Sequence, residues 1–297
     1  MEETWNIRSV LDWTQGYLLN HGIGDARSQA QRLVCHALSL SRVDLFLNLD
    51  KPLSVEERDI LRDAIKRRVA GEPLQYITGK APFRFIDVIV DKGVLIPRPE
   101  TEVLVSEVLR FLDDERFASE EPSSFLVADI CTGSGCIAAS LASEREDISV
   151  IATDISNEAL DIACRNIEAL GLRDKVSLLP GDLGSAIDED LMGRFDAIVS
   201  NPPYVPSDLI DTLEIQVASF EPRLALDGGS DGLDIFRRLL PFAHKALRVG
   251  GLFACELHET SLEEAVSLAQ STGFDAKQIC DLNDKPRVLL AYKRGDE

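Results

Sequence analysis

The stretch Phe125-Leu126-Val127-Ala128-Asp129-Ile130-Cys131-Thr132-Gly133-Ser134-Gly135-Cys136 decides the fold. A short apolar run, Phe125–Ile130, gives way to a glycine turn and then to a helical pattern, the start of a nucleotide-binding βαβ unit. Glycines in such a turn let the backbone approach a ligand and take dihedrals closed to other residues. Gly133-x-Gly135-x-x-Ala138 satisfies the dinucleotide fingerprint, and Asp154 stands nineteen residues beyond Gly135 at the end of the next expected strand. An acid there can accept hydrogen bonds from both hydroxyls of a ribose. The pattern supports an adenosine-bearing cofactor: NAD, a flavin or S-adenosylmethionine. The lysine of a P-loop is absent, which argues against nucleoside triphosphate hydrolysis.

Outward from this turn the chain alternates strand and helix. Strands are expected at Phe125–Ile130, 149–153, 176–179, Phe195–Ser200 and 252–256, each a short apolar run with no polar face. Such runs separated by helices indicate a parallel sheet covered on both sides, a Rossmann-like α/β fold. Two further strands, Phe274–Cys280 and 287–292, are close in sequence and are expected to pair antiparallel, giving a mostly parallel sheet with one antiparallel edge strand. Residues 113–124 read as a polar loop.

Residues 1–72 read as a helical bundle domain. Ile7, Val10, Leu11 and Leu18 are spaced for one helix ending before His21-Gly22; Asp25 looks like the N-cap of a second, carrying Leu33, Val34, Ala37 and Leu38. Ser54-Val55-Glu56-Glu57 is a capping box opening a third, with Ile60, Leu61, Ile65 and Val69 expected to face the core. Between 73 and 97 the period changes to two, and Phe83–Val90 followed by Asp91-Lys92-Gly93 reads as a β-hairpin linker with its turn at 91–93. A helix using Val103, Leu104, Val108 and Leu109 should follow Pro99, opening a main domain over 98–297.

The chain has 297 residues, 45% hydrophobic and 28% charged, enough for a sizeable core and against wholesale disorder. Its net charge of −20 is uneven: residues 1–80 balance eleven basic against eleven acidic side chains, so the main domain carries all of it. An acidic main domain argues against duplex DNA, whose binding requires neutralising several phosphates, and no stable nucleic-acid partner is expected. The acidic start Met1–Trp5 lacks the basic, then apolar, pattern of a secretory signal, and no apolar run is long enough to span a bilayer. The six cysteines (35, 131, 136, 164, 255, 280) form no C-x-x-C pair or zinc-like spacing, so buried free thiols, no metal and a cytoplasmic location are expected.

Two further motifs bear on chemistry. Asp182, in Pro180-Gly181-Asp182-Leu183 after the third strand, is placed to take an adenine amino group, with Leu183 against the ring. Ser200-Asn201-Pro202-Pro203-Tyr204 follows the fourth strand. Consecutive prolines remove donors and stiffen the loop, holding the Asn201 side chain and the Pro202 carbonyl as fixed acceptors. That suits attack by a planar, weakly nucleophilic NH2 group, whose nitrogen gains positive charge as it bonds to carbon. Tyr204 offers an aromatic surface for the planar group. No histidine base is needed, because the nitrogen is strongly acidic after transfer; the four histidines (21, 36, 244, 258) stand in no triad-like setting.

A glycine loop with Asn-Pro-Pro-Tyr after the fourth strand resembles the class I S-adenosylmethionine methyltransferases that modify planar NH2 groups. Leu95-Ile96-Pro97-Arg98-Pro99-Glu100-Thr101-Glu102, Phe220-Glu221-Pro222-Arg223-Leu224-Ala225-Leu226, Gly228-Gly229-Ser230-Asp231-Gly232-Leu233 and Gly79-Lys80-Ala81-Pro82-Phe83 narrow the resemblance to the bacterial release-factor glutamine methyltransferases, the HemK type. The resemblance implies methylation of the N5 amide of the Gly-Gly-Gln glutamine in class I peptide chain release factors, with the helical module contacting that partner. It implies that Cys131, Thr132, Gly133, Ser134 and Gly135 wrap the methionine part of the cofactor, Asp154 its ribose, and Asp182 and Leu183 its adenine, with Asp129 also among the cofactor-binding residues. Phe83 would cover the cofactor from the hairpin, while Asn201, Pro202, Pro203 and Tyr204 would hold the glutamine amide, Asn201 also touching the cofactor. Arg98 and Glu100 would brace the site's edge and Glu221 anchor its loop. The family usually has glycine where this chain has Cys131, so the thiol must point away from the cofactor.

Residue chemistry alone reaches methyl transfer to a planar NH2. A DNA adenine N6-methyltransferase would use the same motif but needs a basic groove; an RNA or ribosomal-protein methyltransferase shares the motif too. A dinucleotide oxidoreductase leaves Asn-Pro-Pro-Tyr unexplained, and a non-catalytic cofactor-binding module would bind without turnover.

Overall fold

Asn6 and Ser54 start their helices in the same way. Asn6 Oδ1 accepts from Ser9 N at 2.9 Å and Ser9 Oγ from Asn6 N at 3.1 Å; Ser54 Oγ accepts from Glu57 N at 3.1 Å and Glu57 Oε2 from Ser54 N at 2.8 Å. Each box satisfies two backbone donors that a helix start leaves unpaired. The computed structural model describes residues 5–118, 124–281 and 283–295. It divides into two units, Met1–Lys80 and Ala81–Glu297. The division falls inside the 73–97 segment. Residues 1–4 of the acidic start, and 119–123 of the expected polar loop, lie outside the described residues.

The first unit is helical: α1 (Ile7–Asn20), α2 (Ala26–Leu38), α3 (Arg42–Leu47), α4 (Val55–Val69) and α5 (Leu74–Thr78). Ile7, Leu18, Leu33, Val34, Leu45 and Ile65 share one core. Two expectations need correction. Asp25 sits at the N-cap of α2 with φ +48° and makes no side-chain capping bond. Ile60 is half exposed, because the buried stripe of α4 runs through Leu61, Ala64, Ile65 and Arg68. The short helices α3 and α5 carry too few apolar repeats to be read from periodicity.

The second unit opens with a two-stranded sheet, β1 (Lys80–Phe83) and β2 (Ile86–Ile89). Its turn is Arg84-Phe85, not 91–93. Arg84 takes φ +50°, held there because its N donates to Glu102 Oε1 at 3.1 Å and its guanidinium grips both oxygens of Glu144 at 2.6 and 2.7 Å. The earlier turn puts Phe83 on the buried face with Ala81, Val88 and Val90, and leaves Phe85 exposed.

Next come α6 (Pro99–Ala118), which absorbs residues 113–118 of the expected loop, β3 (Phe125–Ile130), α7 (Cys136–Glu144), β4 (Ile148–Asp154), α8 (Asn157–Ala169), β5 (Val176–Pro180) and β6 (Phe195–Ser200). The chain finishes with α9 (Ile215–Ala218), α10 (Asp234–Ala246), β7 (Leu247–Glu256), α11 (Leu262–Ser271), β8 (Phe274–Cys280) and β9 (Pro286–Lys293). The sheet order is β5-β4-β3-β6-β7-β9-β8. From β5 to β7 the strands are parallel; β9 runs antiparallel to both β7 and β8. The antiparallel strand therefore lies one place in from the edge, with β8 outside it.

Both faces of the sheet are covered. Ala128, Ile130, Ile198, Phe253, Cys255 and Leu289 pack with Phe236, Leu239 and Leu240 of α10 and Leu262 and Ala265 of α11. The alternate positions Val127, Val199, Ala254 and Leu290 are equally buried. Each large apolar side chain so buried contributes roughly 1.5–3 kcal/mol. The chain passes from β3 to β4 and β5 on one side, then returns to β6 on the other. That reversal opens a crevice at the carboxyl ends of β3 and β6, where ligands of open α/β sheets bind.

Candidate active site

The turn after β3 is built on strained backbone. Cys131, Gly133 and Gly135 all take positive φ, at +61°, +56° and +76°. A Cβ on Gly133 would meet nothing within 4 Å, whereas one on Gly135 would stand 3.1 Å from Ala163 Cβ, so the second glycine lets α7 approach α8. Asp129 lies fully buried under the turn and pins both its ends: Oδ2 accepts from Thr132 Oγ1 at 2.5 Å and from Ala138 N at 3.1 Å. Burial pushes its carboxyl up to about 7, against the lowering effect of those two donors.

Asp154 ends β4. Its Oδ2 accepts from Gly133 N at 2.8 Å and its Oδ1 from Ser156 N at 2.9 Å, which leaves acceptor capacity on each oxygen. Burial raises its carboxyl above the usual range. Asn166 of α8 ties the turn to the hairpin: Nδ2 donates to the Ser134 and Ile89 carbonyls, both at 2.9 Å, and Oδ1 accepts from Ile89 N at 2.6 Å.

A cavity of about 480 Å³ lies at these strand ends. Cys131, Thr132, Gly133, Ser134, Asp154, Asp182, Leu183, Asn201 and Pro203 line it, which brings together the turns after β3, β4, β5 and β6. Asp129, Gly135, Pro202 and Tyr204 do not line it; Asp129 and Gly135 act from behind the turn. Phe83 does not line it either, being buried in the hairpin; Val94, Leu95 and Pro97 supply the apolar wall expected of it. Asp182 is joined to Arg238 of α10 at 2.6 Å, so its carboxylate is partly engaged. Leu183 takes φ +53°, and its carbonyl accepts from Thr153 Oγ1 at 2.8 Å.

Asn201 Nδ2 donates to Thr101 Oγ1 at 3.1 Å, while Oδ1 is buried with no hydrogen-bond partner. A buried acceptor left unpaired is costly and marks a place where a ligand donor belongs. Tyr204 is held by its hydroxyl, which donates to Glu256 Oε1 at 3.2 Å; burial raises the phenol far above its ordinary value. Gly228 and Gly232 lie against the Tyr204 backbone. A Cβ on the first would come within 2.7 Å of Tyr204 Cα and one on the second within 2.3 Å of its carbonyl oxygen. Arg98 lines the cavity and pairs with Glu221, and Glu100 opens α6 without lining it. Thr101, Arg238 and Glu256 escaped the sequence reading. Only Glu256 carried a signal, an acid closing an otherwise apolar strand at the carboxyl edge.

All six cysteines are free, but only Cys136 and Cys255 are buried; Cys164 and Cys280 are exposed at helix and strand surfaces. Among the described residues no helix is long and apolar enough to cross a membrane, and no cluster of three or more His, Cys, Asp or Glu could hold a metal.

The sheet order and the turn residues at its carboxyl edge define an α/β, Rossmann-like methyltransferase. The N-terminal domain of human METTL16 in complex with SAH shares this fold, with a TM-score of 0.51 and 19% identity over 79% of this chain and 84% of that one. The family described as PrmC N-terminal domain matches residues 9–79, and the methyltransferase small domain matches 114–217. Release factor glutamine methyltransferase of Geobacter sulfurreducens is 43% identical over 97% of this chain and 96% of its own, and that of Moorella thermoacetica is 42% identical over 98% and 99%. The chain belongs to the release factor glutamine methyltransferase family.

Proposed function

We propose that this chain methylates the N5 side-chain amide of the glutamine in the Gly-Gly-Gln motif of class I peptide chain release factors, using S-adenosylmethionine. The unpaired, buried Oδ1 of Asn201 beside the cavity carries the reading, since an NH2 group is what that acceptor lacks.

The cavity fits the cofactor. Its volume lies in the range of small-molecule sites, and its polar groups are few and fixed. Asp154 has oxygens to spare for two ribose hydroxyls, the open face at Gly133 admits the amino-acid part, and Leu183 with Ile155 offers apolar surface to the adenine. When bound, the cofactor supplies an electrophilic methyl carbon on a sulfonium. Transfer of that methyl to the glutamine nitrogen would replace the C–S bond by a C–N bond, with the nitrogen's extra proton passing to water and N5-methylglutamine and S-adenosylhomocysteine as products. Asn201 Oδ1 and the Pro202 carbonyl accept the two amide hydrogens and stabilise the positive charge the nitrogen develops, and Tyr204 packs on the amide plane. Interactions of this kind contribute about 3 kcal/mol each. Positioning accounts for much of the remainder.

The test is incubation with S-adenosylmethionine and a bacterial class I release factor, followed by peptide mass spectrometry. One added methyl on the Gly-Gly-Gln glutamine is the expected result. Cofactor binding with no methyl on a folded release factor would refute the substrate and point to another NH2-bearing molecule, RNA first.

A further inference from the structure

The turn after β5 is fastened at three successive residues. Arg238 Nη2 of α10 donates to Asp182 Oδ2 at 2.6 Å, and Thr153 Oγ1 of β4 donates to the Leu183 carbonyl at 2.8 Å. Gly184 lies so close to Phe242 of α10 that a Cβ there would stand 2.1 Å from the ring. Arg238 and Phe242 are four residues apart and project from the same face of α10. The helix therefore grips the turn on both sides of Leu183, which takes φ +53° between the two contacts.

These contacts decide what the turn shows to the cavity, which Asp182, Leu183 and Arg238 all line. The Asp182 side chain is 46% exposed, and a carboxylate so placed rotates among its rotamers unless something holds it. Arg238 holds it by Oδ2, which leaves Oδ1 as an acceptor of fixed direction. A fixed acceptor separates two kinds of purine. A 6-amino purine brings N–H donors to it, whereas a 6-oxo purine brings a carbonyl oxygen, acceptor against acceptor. A carboxylate free to swing aside would discriminate less, because the ligand would have to order it on binding.

We propose that Arg238 is a positioning residue for base selection: by holding the Asp182 carboxylate, it makes the cavity prefer a 6-amino to a 6-oxo purine in the cofactor. This rests on the S-adenosylmethionine reading above, with Asp182 at the adenine amino group. Arg238 acts through Asp182 and is a surface cation in every other respect, its side chain being 52% exposed. Its loss therefore costs selectivity and little stability.

The experiment measures, by calorimetry on the full chain, the affinities for S-adenosylhomocysteine and S-inosylhomocysteine, which carry a 6-amino and a 6-oxo purine, together with the melting temperature. The variants are Arg238→Lys, Arg238→Met, Asp182→Ala and the Asp182→Ala/Arg238→Met double. Wild type should bind the adenosyl ligand roughly 10-fold more tightly than the inosyl one. Arg238→Met should cut that preference about 3- to 5-fold with the melting temperature nearly unchanged, and Arg238→Lys, which keeps a cation for the carboxylate, should keep most of it. Asp182→Ala should abolish the preference, and the double should match Asp182→Ala, since Arg238 then has nothing to position. Arg238→Met with the wild-type preference, or a double that loses further affinity for the adenosyl ligand beyond Asp182→Ala, would overturn the proposal. So would a wild type that binds both ligands equally, which leaves the cofactor reading standing. Wild type that binds neither ligand refutes the cofactor reading itself.

Discussion

Arg98 Nη2 bonds both carboxylate oxygens of Glu221, at 2.6 and 2.7 Å, joining the segment before α6 to the loop beyond β6 at the cavity's rim. The Glu221 side chain is only 1% exposed, and burial raises its carboxyl while Arg98 opposes the rise. Removing the cation leaves a buried charge uncompensated. Arg98→Ala should therefore destabilise the protein by about 3 kcal/mol in urea or thermal unfolding, and Arg98→Ala/Glu221→Gln should recover part of the loss. A single-variant loss below about 0.5 kcal/mol would show the pair to be a surface contact in energetic terms.

Asn201→Ala removes the unpaired acceptor but none of the contacts Asp154 makes with the glycine turn. S-adenosylmethionine affinity should stay within a few-fold of wild type while methyl transfer falls by about 100-fold or more. Cofactor binding that collapses together with turnover would move Asn201 from substrate to cofactor recognition.

Asp154→Ala deletes acceptors from Gly133 N and Ser156 N as well as from a ribose. Calorimetry should show cofactor affinity at least about 10-fold weaker, with a lower melting temperature because a buried backbone donor loses its partner. Asp154→Asn keeps one acceptor and should fall between.

Cys131 occupies left-handed backbone where a side chain costs roughly 1–2 kcal/mol and glycine is at ease. Cys131→Gly relieves that strain but adds freedom to the unfolded chain, roughly 0.4–1 kcal/mol in opposition, so stability should change little. Cys131 lines the cavity, and with its side chain removed S-adenosylmethionine should bind a few-fold tighter. Burial and the nearby Asp154 and Asp129 charges push the thiol well up, so a maleimide at neutral pH should label exposed Cys164 and Cys280 long before Cys131.

Asp129 has a folded pKa of about 7, above the ordinary carboxyl value near 4. Between those values the folded state holds a proton that the unfolded chain has released, so this group's contribution is full below about pH 4 and is lost as pH rises through about 7. The stability of wild type relative to Asp129→Asn should fall by a few kcal/mol over that window and stay flat above about pH 8. A difference that grows with pH would mean Asp129 is ionised throughout, held by Thr132 and Ala138.

The sheet was legible because its central strands are buried on both faces. A continuous apolar run bounded by turn residues reads as such a strand, and β3 and β6 begin and end where those runs do. The glycine turn was equally plain, since the positive φ at 133 and 135 favours glycine. The Ser54 capping box likewise acts over a few residues. The hairpin was misplaced because its real turn sits at Arg84, a poor left-handed residue locally, made tenable by Glu144 sixty residues away. Phe83 followed the turn into the interior.

Composition, periodicity and short motifs thus determined the layers of this protein, its cofactor-type crevice and the acceptor chemistry of its turn, because each depends on neighbours along the chain. Only the tertiary structure decided how that chemistry is aimed. Thr101 meets Asn201 across 100 residues, Tyr204 meets Glu256 across 52, and Arg98 meets Glu221 across 123. A hydrogen bond between remote side chains leaves no local trace. It exists once the sheet has closed, its strand ends have met and water has been excluded from between them.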